Sequence, residues 1–393
     1  MDPGILLVLG LAGAGLVALR RVGLRESTRQ AYRRLAKELE LEAVSLEVGL
    51  FGTPRLTGVV RGFALTLAEE RVGVRPVLRI AASHPGAIAP SLEVRAETVR
   101  SRIDAALGER DVATGDAAFD AAVFVRGEAE LVASVFTAAA RAEVGRLVRT
   151  GLHVANGRVE REEPGRGGRF PRLLEATREV LAVAALVVTP TNPVGRLLAN
   201  ARKDPLPAVR RRNLGLLVER HGGSHEADTA LRRALHDPDP GLSLWAALRL
   251  GEDGRATLRG LVADSRTPGA VAVGAAAALA RGGDDAARDR LVAALADGDG
   301  EVRLAAAEAL GEVGTTAAVT PLRAATAGHP LDLALRRAAA TAIDAIQARV
   351  TGAAPGQLSL AGGEAGALSL AGEAGRGAVA VAGEGEEGGD DGS

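Results

Sequence analysis

The chain of 393 residues contains no cysteine and few aromatic residues. The lack of cysteine excludes disulfides, thiolate metal sites and a cysteine nucleophile. Aromatic residues make up 2% of the chain, whereas hydrophobic residues make up 47%. The core must therefore consist of Leu, Val and Ala, and small side chains favour closely packed helices. Lysine occurs only at Lys37 and Lys203, an arginine bias that indicates a GC-rich and hence bacterial genome.

Motifs for catalysis and strong net charge are also missing. The formal net charge is −1, so no overall field attracts nucleic acid, and we expect no nucleic-acid partner. The sequence has no phosphate-binding Gly-Lys-Ser/Thr loop, nucleophile elbow, zinc-binding helix or kinase motif. These observations predict a protein that is not an enzyme and has no catalytic residues, cofactor or metal.

The N-terminus holds one long apolar run without charge, residues 3–19. Its 17 residues span about 25 Å as a helix, at the short end of what a bilayer needs. Asp2 precedes the run, unlike the basic start of a secretory signal, and Arg20, Arg21 and Arg25 follow it. Because basic residues stay on the cytoplasmic side, we predict an uncleaved, single-pass anchor in the bacterial inner membrane, with the bulk of the chain cytoplasmic. A cleaved signal or a buried helix are the alternatives.

Residues 24–188 predict a juxtamembrane helix and an α+β domain. Ser27 can cap a helix that extends to Glu40, and from about Ala43 to Glu163 apolar residues alternate with polar ones, as in strands. Asn156-Gly157 is a strong signal for a two-residue hairpin turn. The predicted strands lie in Val44–Val48, Leu56–Leu67 (one strand or two, interrupted by glycine), Pro76–Ala82, Leu92–Val94, Ala121–Val125, Leu152–Ala155 and Arg158–Glu162. The later helices are predicted in Phe136–Val148 and Pro171–Val188.

The segment Gly115–Val125 carries the motif G-D-x-x-F-D, made by Gly115, Asp116, Phe119 and Asp120, with Val123 after it. It resembles an uncharacterised family of bacterial membrane-linked domains, a resemblance that implies no activity. Asp116 and Asp120 could bind a cation or share a proton, or Asp116 ends a turn and Asp120 lies at a strand edge.

Prolines at residues 190, 193, 205 and 207 predict a linker over residues 189–205, after which the sequence becomes repetitive. Two apolar residues eight apart recur about every 30 residues, and a small-residue or glycine turn and a second short apolar helix mostly follow. Stacked helix pairs bury such faces in one continuous core. The pairs are Val209/Leu217, Leu242/Leu250, Val271/Leu279, Val302/Leu310 and Leu335/Ile343.

The clearest copy, Glu301–Gly314, has the pattern E-V-R-x-x-A-A-x-A-L-G-x-x-G. This pattern resembles HEAT repeats of the short type also found in phycobilisome lyases, and implies an α–α superhelix over residues 206–350. Three copies keep an arginine after the first apolar position: Arg210, Arg303 and Arg336. We predict that these arginines, on exposed faces of the first helices, bind a protein partner; they could instead bond between neighbouring repeats.

Residues 351–393 are rich in Gly, Ala, Ser and Glu, and their composition predicts a disordered tail. The tail also holds three glycine-bounded alternating segments that could add a strand to a partner's sheet. The spacing of His221 and His225 fits a helical metal site, although their glycine-rich surroundings favour a turn.

The sequence thus predicts a membrane-anchored, non-enzymatic scaffold with an N-terminal transmembrane helix, an α+β domain and a HEAT-like solenoid. Its partners would be proteins, with the bilayer contacted through residues 3–19. The alternative is an enzyme or enzyme accessory of the bilin-lyase type that holds a ligand with its repeats. This analogy is one of fold alone, and a coloured co-purifying ligand would distinguish it.

Overall fold

A computed structural model describes residues 27–47, 54–72, 75–98, 111–164, 170–351, 358–360 and 368–370. By its internal contacts the chain divides into two compact units, Met1–Ala234 and Leu235–Ser393. The membrane span predicted at residues 3–19 lies outside the described residues. In the part of the chain that is described, no helix combines the length and apolarity that crossing a bilayer requires.

The first unit contains an eight-stranded, fully antiparallel sheet and eight helices among its described residues. The strands follow the order β1-β2-β3-β4-β8-β7-β5-β6 across the sheet. They are β1 (Glu42–Glu47), β2 (Arg55–Val60), β3 (Phe63–Val72), β4 (Arg75–Ser83), β5 (Glu93–Ala96), β6 (Val123–Arg126), β7 (Leu152–Ala155) and β8 (Arg158–Pro164). The helices are α1 (27–38), α2 (Ala117–Ala122), α3 (Ala129–Val135), α4 (Ala138–Leu147), α5 (Phe170–Leu186), α6 (Pro193–Lys203), α7 (Pro207–His221) and α8 (His225–Ala234).

The central strands bury one face and leave the other half-exposed, as their alternating sequence predicts. In β3, Leu65 and Leu67 are buried, whereas Ala64, Thr66 and Ala68 are partly exposed. Helix α5 packs against β4 and β8, and Tyr32 and Leu35 of α1 belong to the same core cluster. The core of this unit therefore lies between the sheet and its covering helices.

Two of the connections are tight hairpin turns. Residues Arg61 and Gly62 join β2 to β3 with φ angles of 49° and 82°, and Asn156 and Gly157 join β7 to β8 with 53° and 74°. Two successive positive φ angles match the twist of the strands on either side. The hairpin predicted from Asn156-Gly157 is confirmed.

The prediction of one strand over Ala121–Val125 is partly wrong. Ala121 and Ala122 end helix α2, and the strand begins only at Val123. Helix α2 begins because the Asp116 side chain accepts a hydrogen bond from the Phe119 N–H, at 3.2 Å, which satisfies a donor that the first helical turn leaves free. Helix α3, Ala129–Val135, was not predicted.

The prediction of a linker over residues 189–205 is also wrong. Residues Pro193–Lys203 form α6, which begins with the Asn192 side chain accepting from the Gly195 N–H and packs against α3, α7 and α8. The buried Asn200 side chain donates to the Ala133 carbonyl at 2.9 Å. Proline at the first helical position favours a helix start, so the prolines mark helix beginnings, and the first unit extends to Ala234.

The second unit is helical over residues 240–351, apart from its connections. Its helices are α9 (Pro240–Leu250), α10 (Arg255–Ala263), α11 (Gly269–Arg281), α12 (Asp285–Ala294), α13 (Gly300–Val313), α14 (Val319–Gly328) and α15 (Leu333–Thr351). Each predicted eight-residue step from Leu242 onward falls on a first helix, α9, α11, α13 or α15. The predicted helical repeat region is confirmed.

Two short strands lie in the region where composition predicts a disordered tail. Strands β9 (Leu358–Leu360) and β10 (Leu368–Leu370) pair antiparallel, with Ser359 opposite Ser369. They coincide with two of the three alternating segments. For these six residues the prediction of disorder is therefore corrected to paired strands, and the rest of residues 352–393 lies outside the described residues.

Candidate interaction surface

The helix pairs of the second unit stack through their first helices. Helix α11 packs against both α9 and α13, and α13 packs against α15, while each second helix lies against a neighbouring first helix. Ala275, Ala276, Ala306 and Ala307 are completely buried in this core. Small side chains bring the helix backbones close together, and every pair covers the apolar face of the next.

Gly311 lies where α13 and α15 approach each other closely. A Cβ atom at this position would lie 3.2 Å from the Ala342 Cα, closer than ordinary van der Waals contact. Nearby, the Arg349 Nη2 donates to the Gly314 carbonyl at 2.9 Å, where α13 ends and its last carbonyls lack partners in the helix. The last helix thus holds the end of α13 by packing and by hydrogen bonds.

The turn that leads into α13 is held by a buried arginine. The Arg303 Nη1 donates to the carbonyls of Asp297 and Gly298, at 2.7 and 3.0 Å. The Asp297 carboxylate accepts from the Asp299 N–H at 2.9 Å, and the Asp299 carboxylate accepts from the Glu301 N–H at 2.8 Å. The aspartates fold the turn, and the arginine six residues after Asp297 fixes it to the helix.

The same arrangement precedes α7 in the first unit. There the Arg210 Nη1 donates to the carbonyls of Asp204 and Pro205, at 2.9 and 3.3 Å. Arg210 and Arg303 are only 6% and 8% exposed. The prediction that they lie on an exposed partner-binding face is therefore wrong, because their guanidinium groups satisfy turn carbonyls. The missed signal is an aspartate six residues before each arginine.

The other copies of this position support that rule. Before α9, Ser243 occupies the arginine position, and its hydroxyl donates to the Asp237 carbonyl at 3.0 Å. Pro330 stands six residues before Arg336, and Arg336 is exposed on α15. Of the three predicted residues, only Arg336 is therefore accessible to a partner.

The second helices of the second unit expose a larger share of their residues than α11 does. Helix α11 has only Ala270 and Arg281 fully exposed, whereas α10, α12 and α14 each expose an arginine. We call the exposed residues of these three helices the second-helix face; its arginines are Arg259 and Arg323, which directly follow a buried leucine, and Arg290, which directly precedes one. Arg259 also forms an ion pair with Asp284, at 3.6 Å. In the sequence, Arg259 and Arg323 could have been recognised as exposed because each directly follows the buried leucine of its second helix, Leu258 or Leu322.

A shallow groove lies where α9 and α10 meet α11. It has a volume of about 230 Å³, and its lining includes Leu248, Leu258, Arg255 and Arg281. Leu248 is 48% exposed, and the two arginines pair with glutamates, Arg255 with Glu252 and Arg281 with Glu312. The groove therefore offers a partner an apolar contact at Leu248, with charged side chains at its border.

A separate buried ion cluster, which we call the Arg141 clasp, lies within the first unit. Arg141 on α4 forms two hydrogen bonds with the Asp204 carboxylate, both at 3.0 Å, and one with Asp116, at 2.9 Å. The side chains of Arg141 and Asp204 are 3% and 1% exposed. Burial opposes the ionisation of Asp116, but hydrogen bonds from Arg141 and the Phe119 N–H outweigh it, so the Asp116 pKa is lowered.

The clasp assigns structural roles to the G-D-x-x-F-D motif. Asp116 caps α2 and binds Arg141, whereas Asp120 accepts from the Thr114 hydroxyl and from the N–H groups of Thr114 and Gly115. Gly115 has a φ angle of +94°, and a Cβ there would meet the Ala208 carbonyl oxygen of α7 at 2.9 Å. The motif therefore docks α6 and α7 against the α+β part of this unit.

The two histidines with metal-like spacing are not brought together on one face. The His221 Nε2 lies 3.2 Å from a Glu130 carboxylate oxygen, and His225 is exposed at the start of α8. Within the described ranges, no group of three or more His, Cys, Asp or Glu side chains has the arrangement of a metal site.

A protein-family model matches part of the chain. No curated protein matches the chain. Residues 258–344, from within α10 to within α15, match the family model of HEAT repeats. The match covers α11 to α14 and parts of α10 and α15, and HEAT repeats commonly mediate contacts with other proteins.

Proposed function

We propose that the protein is a non-enzymatic scaffold, tethered to the bacterial inner membrane by residues 3–19, that binds a protein partner through its HEAT-repeat segment. The observation that carries this proposal is the second-helix face. Stacked repeats repeat their exposed side chains at regular intervals, which creates an extended surface for a partner. This corrected surface replaces Arg210 and Arg303 as the binding residues.

The chemistry of the second-helix face favours a partner segment with acidic side chains. Arg259 and Arg323 stand among alanines, glycines and threonines, whereas Arg290 stands beside Asp289 and near alanines. Guanidinium groups bind carboxylates with two parallel hydrogen bonds, and the small neighbours let a partner backbone approach. Asp285 and Asp289 on α12 would repel a partner carboxylate placed next to them. This repulsion would select the position of the partner segment rather than strengthen its binding.

The bilin-lyase alternative needs a pocket that can enclose a chromophore. Ligand pockets are mostly concave and lined by apolar and aromatic side chains. The groove beside α9 has about 230 Å³, a cavity lined in part by Ala208, Arg211 and Arg212 has about 580 Å³, and the described lining of neither contains an aromatic ring. Trp245 is largely buried, with the Arg249 guanidinium 3.7 Å from its ring centre. These features favour a protein partner over a chromophore.

Proximity labelling in the native membrane tests the binding face. A labelling enzyme fused to the C-terminus of the full chain should mark a reproducible set of proteins, and the triple variant Arg259→Glu/Arg290→Glu/Arg323→Glu should lose one or more of them. The matched control is Arg336→Glu/Arg337→Glu, which reverses two exposed charges on α15. Equal labelling by the wild type and the triple variant would rule out the second-helix face, and loss only in the control would assign binding to Arg336.

Membrane tethering has its own test. The variant Leu9→Arg/Leu11→Arg places two charges in the apolar run, each costing about 2.5–3.5 kcal/mol in a membrane span. The wild-type chain should remain in the membrane fraction after alkaline extraction, whereas this variant should be released. Release of the wild-type chain under the same treatment would overturn the tether.

A further inference from the structure

The outward side of helix α1 carries a basic face. Arg33, Arg34 and Lys37 are exposed on it, together with Gln30 and one acidic residue, Glu38. Among the residues described, neither Arg33 nor Lys37 has an ion-pair or hydrogen-bond partner. Residues three and four apart share one side of a helix, so Gln30, Arg33 and Lys37 form a single row. We call this row, with Arg34, the α1 basic face.

The core fixes the direction in which this face points. Tyr32 and Leu35 of the same helix are completely buried in the core beneath the sheet. A helix with these two side chains anchored cannot rotate to hide Arg33 and Lys37. The basic face is therefore held on the outside by the packing of the domain.

The start of α5 extends the positive charge beside α1. The Arg34 guanidinium lies 4.3 Å from the centre of the Phe170 ring, which places the first residue of α5 against α1. Arg172 is 66% exposed there and is bonded to Glu163. The described basic side chains beside each other thus come from two parts of the chain, α1 and the start of α5.

The sequence connects the same face to the proposed membrane span. Residues 20–37 contain seven basic residues and one acidic residue, Glu26. Eight residue steps separate Leu19 from Ser27, and an extended chain of that length reaches at most about 28 Å. If residues 3–19 span the bilayer, the start of α1 stays within about 28 Å of the end of the span. Cytoplasmic leaflets carry anionic lipids that attract clusters of Lys and Arg near a membrane span.

We propose that the α1 basic face binds the anionic headgroups of the bilayer and so sets the orientation of the first unit on the membrane surface. This inference rests on the proposed tether. With the membrane span as its only contact, the first unit could rotate relative to the membrane surface. A second, electrostatic contact through the α1 basic face fixes which side of the unit faces the lipid. The ligand is a bilayer containing phosphatidylglycerol or a similar anionic lipid.

The experiment uses the full chain, whose lack of cysteine allows a single labelling site. Gln30→Cys, on the α1 basic face, carries a dye whose emission shifts in a less polar environment. The labelled protein is reconstituted into vesicles of phosphatidylcholine alone and into vesicles that also contain phosphatidylglycerol. We expect a larger emission shift with phosphatidylglycerol, and a return to the phosphatidylcholine value at high salt, because salt screens headgroup attraction.

Charge reversal identifies the residues. In Gln30→Cys/Arg33→Glu/Lys37→Glu, the emission should no longer respond to phosphatidylglycerol. The matched control, Gln30→Cys/Arg336→Glu/Arg337→Glu, reverses two charges on α15 and should respond as the parent does. A second labelled position, Ala340→Cys, exposed on α15, reports any general effect of the lipid on the dye.

Flotation of the same vesicles separates this inference from the tether. If the protein floats with both vesicle types but the dye at position 30 gives equal emission in both, the headgroup contact is overturned and the tether stands. If it floats only with phosphatidylglycerol and shows the shift, the contact stands and the tether fails. An unchanged response in the Arg33→Glu/Lys37→Glu variant would also overturn the assignment.

Discussion

At the scale of single residues, three arginines have different environments that decide what they do. Arg141 is buried between two carboxylates, Arg303 holds a turn, and Arg336 is exposed. A buried charge that loses its partner carries the full cost of desolvation, whereas an exposed charge is solvated by water in any case. Burial and partners, rather than residue type, set the effect of substitution.

Substitution of Arg141 should destabilise the first unit strongly. In Arg141→Met, the buried Asp204 carboxylate loses both of its hydrogen bonds from the guanidinium, and removal of one partner of a buried ion pair costs about 3–5 kcal/mol. Urea unfolding of the full chain measures the change. Arg146→Met on the same helix is the control: Arg146 is 54% exposed, and loss of its surface pairs should cost about 0–1 kcal/mol. Equal losses in the two variants would contradict the clasp.

Substitution of Arg303, which holds a turn, should lower the free energy of unfolding more than substitution of the exposed Arg336. Arg303→Ala removes charge-assisted hydrogen bonds to two carbonyls and should lower the free energy of unfolding by about 1.5–3 kcal/mol. Arg336→Ala removes an exposed side chain and should change it by less than about 0.5 kcal/mol. Denaturant midpoints of the two variants provide the comparison. A larger loss in Arg336→Ala would show that the aspartate-to-arginine rule does not identify the turn.

At the scale of elements, close contact between helices leaves no room for a side chain at some positions, and these positions require glycine. Gly254 ends the connection between α9 and α10 with ordinary helical backbone angles. Its φ angle is therefore one that any residue can adopt and does not explain the glycine. A Cβ at this position would lie 2.2 Å from the Ala247 carbonyl oxygen. The requirement for glycine comes from the close approach of α9.

Gly254→Ala should therefore destabilise the second unit by about 1–3 kcal/mol, because backbone must move to admit the methyl group. Gly260→Ala on α10 is the matched control. A Cβ added at Gly260 would meet no other atom within 4 Å, and Gly to Ala inside an exposed helix gains about 0.5–1 kcal/mol. Thermal unfolding of both variants should show shifts of opposite sign, and a shift of the same sign would refute the steric argument.

At the scale of the whole molecule, the helix pairs depend on their neighbours, and the two strands described after them form a separate two-stranded sheet. Helix α15 contributes Leu335, Ala339, Ala342 and Ile346 to the core of the second unit. Strands β9 and β10 pair only with each other, and an isolated two-stranded pair is marginally stable.

Removal of residues 353–393 should accordingly leave the Tm of the full chain unchanged within about 2 °C. Removal of residues 333–393 should lower it markedly, because the buried face of α13 loses its cover. Calorimetry of the two truncated chains gives the comparison. A large loss on removal of the tail alone would mean that the tail packs against a folded unit.

The sequence alone determined the elements whose signals are local. Alternating apolar residues predicted the strands around Leu65 and Ile80, Asn156-Gly157 predicted the hairpin, and the eight-residue steps predicted each first helix. These signals suffice because side-chain period and turn conformation depend on a few adjacent residues. The HEAT-like repeats were found in the same way, from Glu301–Gly314 outward.

Only the tertiary structure decided what depends on distant residues. The predicted linker contains helix α6, because Asn200 and Asp204 bond to residues of α3 and α4. Ala121 and Ala122 are helical because Asp116 caps the start of α2. Arg210 and Arg303, predicted on a binding face, are buried and hold turns, while Arg259, Arg290 and Arg323 are exposed on the second helices. Periodicity shows that a helix has an apolar side, but which polar side chains remain in water depends on the elements that pack around them, and those lie far away in the sequence.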